Sequence, residues 1–428
     1  MSDQLRTRSR SKKVAPYARH GRLKASNPFV TVARILVAMV AVVMVSGVSV
    51  AAIAAFDVAA SVKPSVHLAN ETAGPVPPIS AIDGGVNLLL LGSDSREGQD
   101  PVFGGEDATG NLNDVTILLH ISQDHKNASV ISFPRDMYVP IPECPDPEGG
   151  TFNSMSRQKI NTTLSYGGMA CTVATVEKLT GLTIPFAAQI QFSGVMAMST
   201  AVGGVPVCVA EDIEDEYTGT FLTAGEHTLE GYEALQFLRT RHGVGDGSDL
   251  TRINNQQVFM SSLVRTIKSA DTLSDPTKVY SLAKAAVSNM QLSTSLNSVE
   301  TLASIAMALK DIDLNNVVFV QVPTGSADGG VEPTQPDFDE MFEAVAADIP
   351  VQLSGSTGEG ATLDPNAAAP VPSATPSEEP APTETTAPVD PSATPAPTEP
   401  AVAVLPDSAT GQTAGQHTCS VGRTLADQ

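Results

Sequence analysis

Residues Val86–Gly92 read VNLLLLG, an apolar run that ends on glycine. A strand with one wet face alternates apolar and polar positions. A continuous run of this length belongs to a strand buried on both faces. On its C-terminal side, DVTILLHIS (114–122) and ASVISFPRD (128–136) read as further strands. CTVATVEKLTG (171–181) places Val173, Val176 and Leu179 on one stripe before a stop glycine, the grammar of a helix. FSGVMAMSTAVGG (192–204) repeats that grammar, and VPVCV (205–209) follows as a short strand. Helices are expected over LEGYEALQFLR (229–239), over 250–268, near 276–290 and 296–311, and near 336–347. The strand NNVVFVQVP (315–323) precedes the last of them. Strands alternating with helices predict an α/β fold, a mixed central β-sheet flanked by helices.

The flanks differ from this block, which runs from 86 to 350. The 428-residue chain carries a net charge of −22, yet residues 1–34 hold nine of its 25 bases and a single acid, Asp3. The remainder has 16 bases against 46 acids, which excludes a general nucleic-acid binder, whose footprint is a broad basic face. Ile35–Phe56 contains no charge, and at 1.5 Å per residue it reaches about 33 Å, enough to span a bilayer's hydrocarbon core. The basic segment 1–34 before it predicts a cytoplasmic N-terminus and an extracellular remainder. A cleaved signal peptide, with Ala52-Ile53-Ala54 as its processing site, is the rival reading; both the apolar run and the basic leader are long for one. Residues 57–85 read as a spacer. Residues 351–428 read as a Pro/Thr/Ala/Glu-rich tail with little to bury, expected to be disordered or polyproline-II-like.

Four cysteines, Cys144, Cys171, Cys208 and Cys419, follow the apolar run. They allow three pairings, of which Cys144–Cys171 is the expected one, clipping the loop PECPDPEGG to a helix start. No CxxC or HExxH spacing occurs, so a zinc site is not expected.

Seven of the 16 later bases fall in four short stretches, each beginning where an apolar element ends: Arg96, Arg135, Arg157, Lys159, Arg239, Arg241 and Arg252. Ligands of open α/β sheets bind at strand carboxyl ends, and arginine presents a fork of donors that matches phosphate. In FLRTRHGVGDGSDLTRINNQQ (237–257), Arg239 and Arg241 are two apart, so extended backbone would point them the same way. Arg252 and Gln256 are four apart on one helical face, and the glycines between the pairs permit a tight turn. Such a set would surround a pyrophosphate. Asp94, after the first strand, and Asp114, at the entry of the second, are candidate Mg²⁺ ligands, because that ion takes one or two carboxylates plus phosphate oxygens. GVGDGS does not match GxGxxG and there is no GxxxxGK[ST], so a nucleotide fold has no support. His242 reads as a solvated loop histidine, and Ser193 lacks the glycine context of a nucleophile elbow.

Taken in order, NLLLLGSDSR, NDVTILLHIS, SFPRDMYVPIP, KINTTLSYGG, GGVPVCV, TLEGYEALQFLRTRH and SDLTRINNQQ resemble the LytR–CpsA–Psr family of cell-wall ligases. The resemblance implies an α/β sandwich with a hydrophobic channel for a polyprenyl tail. It implies a phosphotransferase that moves a glycopolymer from a polyprenyl-pyrophosphate carrier to peptidoglycan at a membrane. Asp94 and Asp114 then correspond to the acids at Mg²⁺, and Arg135, Lys159, Arg239, Arg241, Arg252 and Gln256 to the pyrophosphate cradle. Asp249 is the acid beside it, and Asp94 and Asp249 are the two candidates for general base. The sequence departs from the family at Leu112, where many members carry an arginine; the missing donor is expected from elsewhere, with Arg96 the candidate. A hydrolase using water, or a non-catalytic lipid-pyrophosphate binder with a regulatory role, remain as alternatives.

Overall fold

The structure, a computed structural model, describes residues 28–61, 63–71, 82, 85–96, 111–146, 149–269, 272, 275–367 and 402–428. It divides into a unit ending at Phe56 and a unit from Asp57 onward. Most of α1 (Pro28–Ala60) belongs to the first; this helix begins seven residues before Ile35 and contains an apolar stretch, Val32–Val58, long enough to cross a membrane. That helix fits a single-pass membrane anchor.

The second unit is built on a seven-stranded mixed sheet. Its strands are β1 (Val86–Ser93), β2 (Asn113–Ile121), β3 (Ala128–Phe133), β4 (Phe186–Ile190), β5 (Met290–Leu292), β6 (Val317–Gln321) and β7 (Gly411–Thr413), in the order β5-β4-β1-β2-β3-β6-β7. β1 runs antiparallel to β2 and parallel to β4, and β3 runs antiparallel to β2 and parallel to β6. Leu89 and Leu91 pack on one face with Ile131, Phe133 and Val176, whereas Leu88 packs on the other with Ile117, Phe186 and Ile305. The unbroken apolar run of β1 thus feeds two cores, one on each side of the sheet.

The helices are α2 (Thr163–Thr180), α3 (Phe192–Val202), α4 (Gly231–Arg239), α5 (Asp249–Lys268), α6 (Pro276–Asn289), α7 (Val299–Lys310) and α8 (Asp337–Ala346). Ser248 caps α5 by accepting from the Thr251 amide, and Gly181, at φ +73°, closes α2. Cys144 and Cys171 form a disulfide. Gly167 lets it approach α2, since a Cβ there would stand 2.8–2.9 Å from the Cβ atoms of both cysteines.

Two segments depart from the sequence reading. In the spacer, Val66 bridges to Ser293 and Leu68 is buried, so residues 63–71 pack on the domain. The larger correction concerns 351–428. Residues Val351–Leu353 pair with Ala403–Leu405, Gly411–Thr413 enter the main sheet as β7, and Thr418–Ser420 lie between Ala361–Leu363 and Val205–Val209 in a second, four-stranded sheet. Cys419 is bonded to Cys208. Three-residue strands rich in small and polar residues carry no hydrophobic period, so composition hid them. Partners distant in sequence satisfy them: the Gln412 amide donates to Gln257 O and Ser261 Oγ, each at 2.9 Å. The most Pro-rich residues, 368–401, lie outside the described set.

Candidate functional site

β1 ends at Ser93, β2 begins at Asn113 and β3 ends at Phe133, so the antiparallel register gathers Asp94, Asp114 and Arg135 at one end of the sheet. Arg135 is the centre of the cluster. Its Nη1 donates to Asp114 Oδ1 at 2.7 Å, and its Nε lies 3.3 Å from Asp249 Oδ1 and 3.6 Å from Asp136 Oδ2. Asp249 opens α5, where the helix dipole favours a negative charge. One turn along, Arg252 places Nη2 2.7 Å from Asp249 Oδ1 and 3.0 Å from Asp114 O. Both members of this ion pair are nearly buried, at 9% and 5% exposure. Each charge has its counter-charge in place, as a buried ion pair requires, while Asp249 Oδ1 and Arg252 Nε find no hydrogen-bond partner among the described residues.

Around this centre the remaining cations approach from separate elements. Lys159, the last residue of the strand Met155–Lys159, donates from Nζ to Asp136 Oδ1 at 2.7 Å. Burial alone would raise the Asp136 pKa, but the Lys159 and Arg135 charges hold it below the ordinary carboxylate value. Arg239 ends α4 with its guanidinium 4.5 Å from the Phe192 ring centroid. Its burial pulls its pKa down, while Asp114 opposes that shift and Arg96 adds to it, so Arg96 is within electrostatic reach. Arg241 donates from Nε to Gly247 O at 3.0 Å, and its charge reaches Asp136. Gly245 and Gly247, at φ +50° and +81°, supply the turn that brings this loop back.

Asp94 accepts from the Leu112 amide at 2.6 Å, so Leu112 serves the site through its backbone. Burial raises the Asp94 pKa above its ordinary value, with the like charge of Asp114 adding to the effect. Two carboxylates close enough to repel, on the rim of a cationic cluster, fit a divalent cation. Among the described residues, the one grouping of three metal-binding side chains is Cys208, Asp364 and Cys419, and its sulfurs are spent on each other.

Behind the cluster opens an apolar cavity of about 210 Å³. Leu90, Ile117, Val195, Leu238, Phe259 and Leu263 line it, with Asp114, Arg239, Arg252 and Gln256 among the polar groups it meets. A roomier cavity, about 630 Å³, lies beside Asn127 and Asn316 at the far end of the sheet. Among the described residues no charged side chain lines it, whereas the smaller one adjoins the arginine cluster.

The structure revises several expectations. Arg239 and Arg241 do not lie side by side on extended backbone: helix α4 runs through Arg239 and ends at Thr240, so the two guanidinium groups serve different walls. The sequence places Lys159 in a loop leading to a helix, whereas it ends the strand Met155–Lys159. The Gln256 amide is engaged by Leu238 O at 3.0 Å, although Gln256 shares the cavity with Arg252. Arg157, which the sequence reads as an exposed side chain outside the cradle, does turn outward, stacking 3.7 Å over the Tyr138 ring and pairing with Glu332. Asp215 escaped the sequence reading altogether. Fully buried, it accepts from Thr240 Oγ1 at 2.7 Å and from the amides of Arg241 and His242 at 3.1 and 3.2 Å. In the sequence it is one acid within EDIEDE, and nothing local distinguishes the buried one.

The chain is 28% identical over 274 residues to the cell wall biosynthesis protein LcpA of Corynebacterium glutamicum, an alignment covering 58% of this chain and 52% of that protein. It is 30% identical over 232 residues to the polyisoprenyl-teichoic acid–peptidoglycan teichoic acid transferase TagT of Bacillus subtilis, covering 50% and 66%. The chain spans about half the length of the curated corynebacterial relative it matches. Among solved structures, a LytR-Csp2A-Psr enzyme from Actinomyces oris aligns over 66% of this chain and 97% of its own, with 23% identity and a TM-score of 0.49. The family model itself matches residues 51–346, spanning every site residue described above, and the chain belongs to the LytR_cpsA_psr family.

Proposed function

We propose that this protein transfers a glycopolymer from a polyprenyl-pyrophosphate carrier to peptidoglycan through a phosphodiester bond. The observation that carries the reading is the convergence of Arg135, Arg239 and Arg252 on one sheet end, at the mouth of an apolar cavity. The diphosphate would lie among Arg135, Lys159, Arg239, Arg241 and Arg252, with Arg96 at the margin, and the first prenyl units would occupy the cavity. An acceptor hydroxyl on peptidoglycan, the muramic acid C6 hydroxyl, attacks the phosphorus that carries the glycan. A P–O bond forms to that hydroxyl oxygen, the bond to the bridging oxygen breaks, and polyprenyl phosphate leaves. Transfers of this type depend on positioning and charge stabilisation more than on covalent help.

Asp249 is occupied by two guanidinium groups. Asp94 therefore takes the proton of the attacking hydroxyl, and its raised pKa suits a base. Asp94 and Asp114 would also hold Mg²⁺, which would neutralise diphosphate charge. The N-terminal anchor with its basic flank, and two disulfides with no free cysteine, support a cytoplasmic N-terminus and a catalytic domain outside the membrane.

The test is turnover of a polyprenyl-pyrophosphate glycan by the full chain with peptidoglycan as acceptor. Arg239→Ala should lower it by about 100-fold or more, as loss of a transition-state donor does, without changing the melting temperature. Unaltered turnover would remove the cradle from the mechanism. Release of free glycan phosphate instead of a peptidoglycan conjugate would reassign the site to a hydrolase. Binding without any turnover would make it a regulator.

A further inference from the structure

The three exposed aromatic side chains described outside the N-terminal helix lie on two adjoining elements. Tyr217 and Phe221 sit on the hairpin made by Ile213–Asp215 and Thr220–Leu222, at 82% and 59% exposure, and Tyr232 opens α4 at 44%. Leaving a tyrosine ring in water forgoes the gain of burying it, so a fixed, exposed ring asks for a reason. Tyr217 is fixed. The buried Asp215 carboxylate accepts from the Tyr217 and Thr218 amides at 3.0 and 3.3 Å through Oδ1, while Oδ2 holds Thr240, Arg241 and His242. One carboxylate therefore locks the hairpin to the arginine loop. It also brings the Tyr217 ring to 4.6 Å from the His242 ring, at an interplanar angle of 40°. His242 follows Arg241 directly, and Tyr232 is close enough to Arg239 to favour its charged form. The aromatic edge therefore borders both arginines.

The surrounding charge limits what can bind. Glu211, Asp212, Glu216, Glu230 and Glu233 are exposed on these same elements. They would repel phosphate or an anionic bilayer, but they accept hydrogen bonds from hydroxyl groups. Flat apolar faces ringed by acceptors suit a neutral sugar ring, whose C–H face stacks while its hydroxyls donate.

We infer that Tyr217, backed by His242 and flanked by Tyr232, forms a saccharide subsite that stacks a neutral hexose of the glycan beside the diphosphate cradle. This deepens the proposed function and rests on it. The experiment uses the full chain in detergent micelles and in lipid nanodiscs. One probe is a short polyprenyl pyrophosphate carrying a neutral hexose, and the other is the same lipid without the sugar. Tyr217→Ala weakens binding of the sugar-bearing probe by about tenfold, in line with the worth of one aromatic contact, and leaves the bare lipid unchanged. Tyr217→Phe keeps the ring and most of the affinity, whereas Arg239→Ala weakens both probes. Equal loss on the two probes, or none on either, overturns the subsite. So does a loss seen in nanodiscs and absent in micelles, which would give the ring to the bilayer. Saturation-transfer NMR with a free neutral hexose oligosaccharide needs no diphosphate site: Tyr217-dependent transfer supports the subsite even if neither lipid binds, and its absence there counts against it.

Discussion

Opening the Cys208–Cys419 disulfide should cost more stability than opening Cys144–Cys171, although Cys419 is only nine residues from Gln428. The first bond spans 211 residues and the second 27. In the chain-entropy account, closing a loop of the larger size removes about 5 kcal/mol of freedom from the unfolded chain, and the smaller about 3.5 kcal/mol. Native contacts across the longer bond survive its loss: Ala210 N donates to Ser420 O at 2.8 Å, Arg423 N to Gly243 O at 2.8 Å, and Gly245 N to Val421 O at 3.0 Å. The effect therefore falls mainly on the unfolded state. For a domain of this size, about 5 kcal/mol lowers the melting temperature by roughly 10 °C or more. The assay is thermal unfolding of the full chain without reductant, comparing Cys208→Ser/Cys419→Ser with Cys144→Ser/Cys171→Ser. Two of those surviving bonds end on the arginine loop, so the first double variant should bind a lipid pyrophosphate as the wild type does at temperatures where it remains folded. A smaller drop for the first double variant than for the second would refute the reasoning, because it would mean the C-terminal strap is not held in the folded state as described.

Two further outcomes follow from the titrating groups. Asp94→Asn should reduce turnover by about 10²–10⁴-fold, the usual worth of a general base, and should remove the acid limb of the rate profile. A limb that persists unchanged in Asp94→Asn would assign it to another group. His120, buried between Asn87 Oδ1 at 2.9 Å and Asp348 Oδ1 at 3.1 Å, has its pKa lowered by burial, which outweighs the opposing pull of Asp348. The unfolded chain therefore takes up a proton near the ordinary histidine value of 6.5 that the folded chain refuses. Stability should fall as pH drops through that value and level off below the folded pKa. Urea unfolding at stepped pH measures this, and the slope should flatten in His120→Gln.

The contrast between what the sequence reveals and what it hides has a physical basis. VNLLLLG and the stripe of α2 are legible because burial imposes a period on neighbouring residues, and a period is a local signal. The arginines are legible for a related reason: in a chain so acidic, guanidinium groups beside strand ends stand out against their background. Asp215 and the 402–428 strap are illegible because what they do is decided by partners far along the chain. Asp215 is one acid in an acidic run until Thr240, Arg241 and His242 turn back onto it. The strap has no run of its own and becomes strand only where Val205–Val209, β6 and Cys208 accept it. The misreading of Arg239 and Arg241 has the same origin, since a spacing of two indicates a shared direction only if the backbone is extended, and the helix ends between them.

That geometry also explains how so acidic a protein can keep its cations for a ligand. Around the sheet end, Arg96, Arg135, Lys159, Arg239, Arg241 and Arg252 face Asp94, Asp114, Asp136 and Asp249, six positive groups against four negative. The pairings are unequal. Arg135, Lys159 and Arg252 are held by short ion pairs, whereas Arg239 is held by the Phe192 ring and Arg241 by a backbone carbonyl. The first three give the pocket its shape. Arg239 and Arg241 carry the excess charge, because no carboxylate lies in a short ion pair with either among the described residues. An anionic diphosphate, the ligand proposed above, would therefore meet donors that are already placed and need not first be pulled from a carboxylate.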